Sequence, residues 1–230
     1  MLQLTDLEQE ALALSLRVAL WAVTTGLPAA LAVAWLLARR EFPGKTLLNG
    51  VVHLPLVLPP VVVGYLLLLT FGRQGPVGSW LHDSLGVTIA FTWQGAALAA
   101  AVMAFPLMVR AIRLSLEAVD TRLESAARTL GAGRLEVFWT VTLPLTAPGL
   151  LAGAILGFAR SLGEFWATIT FVSNIPGETR TLPLALYSLV QQPDGEAGAL
   201  RIAVISVVLA LVALAGSELL ARRVKARIAG

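Results

Sequence analysis

The chain has 230 residues, of which 57% are hydrophobic and 13% are charged, and its formal net charge is +3. An ordinary soluble domain has about 25% charged residues, so this chain cannot cover its surface with polar groups, and both a soluble enzyme and a disordered chain are excluded. The composition predicts an all-α integral membrane protein.

Five stretches of the chain are long and apolar enough to cross a hydrocarbon core, which takes about 20 residues of helix. They run near Leu12–Ala38, Leu48–Phe71, Thr88–Val109, Leu145–Val172 and Leu200–Ala221. The residues before the first stretch include Asp6, Glu8 and Glu10 but no Lys or Arg, which is the reverse of a cleaved signal peptide. We therefore expect the first stretch to remain as a membrane span.

Basic residues are concentrated on one side of these spans. Of the 17 basic residues, twelve are assigned to that side: Arg39, Arg40, Lys45, Arg110, Arg113, Arg122, Arg128, Arg134, Arg222, Arg223, Lys225 and Arg227. The positive-inside rule then predicts an outside N-terminus and a cytoplasmic C-terminus. The sequence pI of about 9.9 follows from the same asymmetry. It indicates contact with the lipid bilayer, and no nucleic-acid partner is expected.

Prolines and glycines shape several spans. Proline removes backbone donors, and the freed carbonyls must then be satisfied by neighbouring helices or by a wet cavity. The prolines concerned are Pro55, Pro59, Pro60, Pro106, Pro144 and Pro148. Such bends are common in transporters, although ordinary kinked packing also produces them. Gly149, Gly153 and Gly157 form a smooth ridge on span 4, which predicts close packing of another helix.

Two ionisable residues lie within span 4. Arg160 and Glu164 are four residues apart, which places them on one helical face where they can form an ion pair. Charges at membrane depth are costly and usually face a cavity or the bundle interior. Two interpretations stay open: a self-neutralised structural pair, or a pair that lines or gates a transport pathway.

The cytoplasmic connection at about residues 111–144 contains the most specific pattern. Thr121 with Glu124 predicts a helix-starting capping box, and Gly131 predicts a left-handed residue after the helix end. The apolar residues between them fall on one helical face: Leu123, Ala126, Ala127 and Leu130. The pattern indicates a short helix, a glycine turn and a second helix that leads through Leu143 and Pro144 into span 4. An apolar face of this kind fits docking into a groove on a partner, or an amphipathic helix at the membrane interface.

The spacing of Ala126-Ala127, Gly131 and Leu143-Pro144 resembles the "EAA" loop of ABC importer permeases. The resemblance implies a helix that docks into a cleft of a cytoplasmic ATPase. The residues it assigns to coupling are Glu124, Ser125, Ala126, Ala127, Leu130, Gly131, Ala132, Leu143 and Pro144. The family glutamate usually comes directly before the two alanines, where this chain has Ser125. Glu124 lies one residue earlier, so its predicted role is mainly that of a helix cap.

Three longer segments resemble the molybdate importer permeases: Phe42–Leu68, Val119–Gly149 and Phe158–Pro183. The resemblance implies the type I ABC importer permease fold, with residues 1–230 forming one domain of a multi-pass protein in the bacterial cytoplasmic membrane. It also implies three kinds of partner: a second copy of the chain, two copies of an ABC ATPase and a periplasmic molybdate-binding protein. Molybdate is the implied substrate, with tungstate sharing the route, and sulfate or thiosulfate is the alternative.

Other functions find little support in the sequence. The segment Gly44-Lys45-Thr46 is no P-loop, because Arg39 stands where the motif needs a glycine. ATP and Mg²⁺ are therefore expected on the partner ATPase, with no cofactor in this chain. A membrane-embedded enzyme would need an HExxH or GxSxG motif, or a second carboxylate beside Glu164, and the sequence has none of these. Cysteine is absent, and His53 and His82 lack metal-ligand spacing. An uncoupled channel subunit would have no use for the EAA-like loop.

Overall fold

In the computed structural model, residues 4–229 are described, with side chains described as far as residue 216, and every regular element within that range is a helix. The helices are α1 (Asp6–Arg39), α2 (Lys45–Val57), α3 (Pro60–Phe71), α4 (Pro76–Leu85), α5 (Trp93–Ala118), α6 (Thr121–Thr129), α7 (Arg134–Val137), a π-helix (Phe138–Thr142), α8 (Leu143–Leu162), α9 (Trp166–Val172), α10 (Leu182–Val190) and α11 (Glu196–Ala229). The predicted all-α class is confirmed.

Four stretches among the described residues can each cross a membrane: Asp6–Arg39, Trp93–Ala118, Arg134–Leu162 and Glu196–Gly216. A fifth span exists if α2 and α3 are counted together, but these two helices meet at an angle of 115°. The bend expected from the prolines of the predicted span Leu48–Phe71 is therefore a complete break between two helices. Pro59 and Pro60 explain the break, since neither can donate a backbone hydrogen bond and each forces the preceding residue out of the helical conformation.

The hydrophobic core of the bundle forms two main clusters, which follow one another along the helix axes. In one cluster Val18 and Ala22 of α1 pack with Ala96 and Ala100 of α5. In the other cluster, further along both helices, Leu37 packs with Leu116 and its neighbours. Helices α1 and α5 therefore run parallel, as the first and third spans of an alternating topology must.

The glycine ridge on α8 packs closely against α5, as predicted. A Cβ atom on Gly149 would clash with Ser115, and one on Gly157 would lie 2.8 Å from the sulfur of Met108. Because Gly149 precedes Gly157 while Ser115 follows Met108, α8 runs antiparallel to α5. The small residues let the two helix backbones approach closely. The resulting van der Waals contact holds the helices together within lipid, where no hydrophobic driving force acts between them.

The starts of the first and last helices are joined by an ion pair between a buried glutamate and a partly exposed arginine. Glu8, only 1% exposed, accepts a hydrogen bond from Arg201 of α11 over a distance of 2.7 Å. The second carboxylate oxygen of Glu8 accepts from the backbone N–H of Thr5, which completes a capping box at the start of α1. The beginning of the first helix therefore lies beside the beginning of the last helix.

This arrangement leads to a topology experiment. Met1 and Gly230 lie outside the described residues, but α11 starts beside the start of α1 and packs along α8. With the basic residues placed inside, a cytoplasm-active reporter fused at Gly230 should be active, and the same reporter fused at Met1 should be silent. A periplasm-active reporter should give the opposite pattern. Equal activity of one reporter at both termini would contradict an odd number of crossings.

Candidate coupling site

The N-cap of helix α6 lies one residue earlier than the sequence predicts. The side chain of Asp120 accepts from the backbone N–H of Arg122 at 2.9 Å, so Asp120 is the N-cap and Thr121 is the first helical residue. The predicted capping box of Thr121 with Glu124 is therefore wrong. An aspartate is at least as good an N-cap as a threonine, and its use here frees the Glu124 carboxylate for other contacts.

The end of α6 matches the prediction for Gly131. Its φ of +96° is left-handed, its N–H donates to the carbonyl of Arg128, and the N–H of Ala132 donates to the carbonyl of Ala127. These two bonds form the Schellman motif, which closes a helix and reverses the chain. Nothing lies within 4 Å of the place where a Cβ atom of Gly131 would be. The backbone conformation, and not crowding, therefore requires glycine.

The apolar face of α6 is presented to the outside of the protein. Leu130 is 90% exposed and Leu123 is 50% exposed, while Ala126 between them is also exposed. Leu135, after the glycine turn, extends the same surface with an exposure of 76%. We call Leu123, Ala126, Leu130 and Leu135 the apolar knob. Contiguous exposed apolar surface beside polar residues is typical of a protein-interaction site.

Glu124 fixes α6 to the rest of the bundle. One of its carboxylate oxygens accepts from the guanidinium of Arg39 at 3.0 Å and from the hydroxyl of Thr142 at 2.9 Å. Only 15% of the Arg39 side chain and 14% of the Glu124 side chain are exposed. The predicted capping role of Glu124 is replaced by this link, which joins α6 to the end of α1 and to the π-helix before α8. No local spacing pattern could identify Arg39, since it lies 85 residues away in sequence.

The segment between the knob and span 4 is a π-helix, and Pro144 supplies a reason for it. Proline has no N–H for the carbonyl four residues earlier, and its ring crowds that carbonyl. In the wider helix the N–H of Leu143 instead donates to the carbonyl of Phe138, five residues earlier. Leu143 and Pro144 therefore lie in a continuous helical stretch over Arg134–Leu162, as the predicted second helix requires.

The Glu124 link can be tested through Thr142. Thr142→Val keeps the shape of the side chain but removes the donated hydrogen bond, so it should lower stability by about 1.5–3 kcal/mol, the usual range for bonds to charged groups. The measurement is the thermal or denaturant unfolding of the purified protein. Thr140→Val is the matched control, because that hydroxyl is exposed and donates only to the carbonyl of Glu136. Equal effects at the two positions would contradict the link.

The ion pair between Arg160 and Glu164 that the sequence predicts is present. A guanidinium nitrogen of Arg160 lies 2.7 Å from a carboxylate oxygen of Glu164, with 27% of the arginine side chain and 2% of the glutamate side chain exposed. The two residues do not share one continuous helix, however. Helix α8 ends at Leu162, and α9 begins at Trp166.

Glu164 has a second role at this break. Its other carboxylate oxygen accepts from the backbone N–H of Ala167 at 2.8 Å, so it caps the start of α9 as well as neutralising Arg160. Helix α3 packs against α9 so closely that a Cβ atom on Gly64 would meet the carbonyl of Ala167. The second half of the broken span formed by α2 and α3 therefore contacts the short helix that follows α8. Broken helices that are covered by other protein segments are common in transporters.

The chain is similar to several known proteins. A family model described as "Binding-protein-dependent transport system inner membrane component" matches residues 26–226. The chain is 64% identical to the molybdenum transport system permease protein ModB of Escherichia coli K12, over 95% of this chain and 96% of that protein. It is 39% identical to the sulfate transport system permease protein CysW of Synechocystis, over 94% of this chain and 77% of that protein. A crystal structure of a bacterial ABC transporter that imports alginate shares the fold, with a TM-score of 0.76, 17% identity, and coverage of 96% of this chain and 80% of that chain.

Proposed function

The chain belongs to the family of binding-protein-dependent transport system inner membrane components, and we propose that it is the membrane permease of a molybdate importer. As a permease it is a transport component, and its reaction is the movement of an oxyanion across the bacterial cytoplasmic membrane. The ATP hydrolysis that drives this movement belongs to a separate ATPase subunit, which binds the nucleotide and Mg²⁺. Tungstate is proposed to share the route.

The apolar knob carries the proposal of an ATPase partner. Leu130 and Leu135 are mostly exposed, and the Schellman turn at Gly131 holds them in fixed positions. A helix with an exposed apolar face is suited to a hydrophobic groove on a partner protein. We assign the knob and its flanking residues to a cleft of the ATPase. Two ATPase copies then bind two copies of this chain, which form the pathway together.

The Glu124 link supplies a route from the ATPase to the membrane spans. A displacement of α6 acts on Arg39 at the end of α1 and on Thr142 before α8, because both side chains bond to the same carboxylate oxygen. Closure of the ATPase on ATP binding would therefore move two spans together. Such rigid movement of packed helices is a common basis of alternating access.

We propose molybdate rather than sulfate because this chain is more similar to the molybdenum permease than to the sulfate permease. Identity is 64% to the molybdenum permease and 39% to the sulfate permease. Strong selection of an anion needs several converging donors, such as backbone N–H groups at helix N-termini. A soluble periplasmic binding protein provides such donors more readily than a gated pathway does. We therefore assign molybdate recognition mainly to the periplasmic partner.

The test is uptake by the complete complex reconstituted in vesicles. With molybdate-loaded binding protein outside and ATP inside, we expect molybdate uptake together with stimulated ATP hydrolysis. Omission of the binding protein should remove most of both. Binding protein exposed to sulfate should fail to stimulate hydrolysis, whereas tungstate should replace molybdate. Equal stimulation by sulfate would contradict the proposed substrate while leaving the proposed coupling intact, and uptake without ATP would contradict the coupling itself.

A further inference from the structure

A polar cavity of about 620 Å³ lies between the end of α1 and the inner side of α6. Its lining includes Arg39, Arg40, Glu124, Arg128, Arg134 and Thr142. At about 100° per residue, Arg128 lies about 140–160° around α6 from Leu123 and Leu130, whereas Glu124 lies about 100–120° from them. The cavity and the apolar knob therefore occupy largely different sides of α6, and they meet at Leu135, which belongs to both.

The cavity carries an excess of positive charge. Of its four arginines, only Arg39 is neutralised, by Glu124. Within residues 4–216, no carboxylate forms an ion pair with Arg40, Arg128 or Arg134. The Nε atom of Arg39 is buried, and no acceptor for it is found in that part of the chain. Unpaired guanidinium groups around one cavity are suited to a phosphate group, which they can bind through two parallel hydrogen bonds.

An apolar cleft continues from this cavity toward the membrane. It has a volume of about 380 Å³ and is lined by Leu31, Ala32, Trp35, Leu36 and Phe138. Trp35 and Phe138 line both the cleft and the polar cavity, so the two spaces adjoin. Leu31 and Arg39 are eight residues apart on α1, which corresponds to a distance of about 12 Å along the helix axis. A ligand that fills both spaces must have an anionic head and an apolar tail.

We propose that this composite site binds an anionic phospholipid of the cytoplasmic leaflet. The phosphate lies among Arg40, Arg128 and Arg134, and one acyl chain follows the cleft beside Trp35. Basic pockets at the cytoplasmic ends of spanning helices are suited to such headgroups. The site lies beside the proposed ATPase-docking surface and shares Leu135 with the apolar knob. It rests on the proposed orientation, in which the end of α1 faces the cytoplasm, but not on the identity of the transported anion.

The experiment is native mass spectrometry of the detergent-purified complex of permease and ATPase, titrated with phosphatidylglycerol or phosphatidylcholine. We expect phosphatidylglycerol to be retained in preference to phosphatidylcholine. Arg128→Gln with Arg134→Gln should weaken the binding of phosphatidylglycerol roughly 10- to 30-fold, since each basic group near an anionic lipid contributes about 1 kcal/mol. Arg110→Gln with Arg122→Gln is the matched control, because it removes the same charge outside the cavity and should leave the affinity nearly unchanged.

A second pair of variants tests the cleft without changing any charge. Ala32→Trp fills the cleft and should weaken lipid binding roughly tenfold, the effect of losing contact with about two CH₂ groups of the chain. Ala29→Trp is its control, because Ala29 is exposed on α1 but does not line the cleft. Co-purification of the ATPase shows that each variant is folded.

Three results would overturn the proposal. Equal losses of phosphatidylglycerol affinity in the two double arginine variants would show that the lipid is attracted only by general surface charge. Displacement of the lipid by millimolar inorganic phosphate would show a headgroup site that makes no use of the cleft. Lipid binding by the permease alone that disappears in the complex with the ATPase would assign the cavity to the protein partner.

Discussion

Ala126→Glu is expected to abolish ATP-driven transport while leaving a folded permease in the membrane. Ala126 is exposed in the centre of the apolar knob, so a larger, charged side chain costs the free permease little. In a complementary groove the same carboxylate would be buried without a partner, which costs several kcal/mol. Ala127→Glu should act in the same direction. Co-purification of the ATPase and ATP-driven uptake in vesicles are the measurements, and Ala126→Ser, which is small and uncharged, is the control. Normal transport by Ala126→Glu would remove α6 from the coupling mechanism.

Gly131→Val tests the same surface through the backbone. Valine in the left-handed conformation costs about 1–2 kcal/mol, and the turn can avoid that cost only by changing shape, which moves Leu130 relative to Leu135. We expect weaker ATPase association or hydrolysis that is no longer coupled to uptake. Gly131→Asn is the matched control, since asparagine adopts this conformation more readily and no neighbour lies within 4 Å of its Cβ atom. Similar behaviour of the two variants would contradict a backbone requirement at this turn.

Removal of one member of the Arg160–Glu164 pair should impair assembly strongly, and the two single variants should differ. Arg160→Gln leaves the Glu164 carboxylate, whose side chain is 2% exposed, without its neutralising charge. Breaking a buried ion pair by removing one partner usually costs about 3–5 kcal/mol, because it leaves an uncompensated buried charge. Glu164→Gln should be milder, because the Arg160 side chain is 27% exposed and a glutamine oxygen can still accept from Ala167. The measurement is the amount of correctly assembled permease in the membrane.

The double variant separates the two interpretations of the pair. Arg160→Gln with Glu164→Gln removes both charges and keeps an acceptor for the N–H of Ala167, so assembly should recover. Assembly that recovers while transport stays absent would assign the pair to the pathway. Recovery of both would make the pair purely structural. Assembly as poor as in Arg160→Gln alone would contradict neutralisation as the reason for the pair.

The predictions from sequence were strongest where the cause is local. Gly131 was identified because a left-handed residue after a short helix favours glycine, and the glycine ridge because small residues at intervals of four form one smooth stripe. The pairing of Arg160 with Glu164 was also predicted, although the two residues lie on either side of the end of α8 and not on one helical face. The knob residues were found in the same way, through the apolar period of α6. These features depend on residues within a few turns of one another, which a sequence displays directly.

Features that depend on distant contacts or on competition between neighbours were missed. Asp120 displaced Thr121 as the N-cap because two adjacent residues can both cap a helix, and spacing alone does not decide between them. Arg39 was assigned only to membrane topology, whereas the fold brings it to Glu124. A bend in the second span is predicted from Pro55, Pro59 and Pro60, but its extent is not, because proline in a span produces either a mild kink or a complete break, and the angle between α2 and α3 is 115°. Packing of α3 on α9 accompanies the break seen here.

The ion pair between Glu8 and Arg201 has a consequence for how the protein is made. Glu8 leaves the ribosome 193 residues before its partner, so its carboxylate cannot be neutralised by Arg201 until the last helix has been synthesised. A chain truncated before α11 would keep an acidic group at the start of α1 with nothing to balance it in the assembled bundle. The final helix itself is sparsely packed, because only 11% of its most apolar stretch is buried against the other helices. The charge of Glu8 is therefore balanced only in the final stage of biogenesis, when Arg201 at the start of the last helix comes to lie beside the start of the first helix.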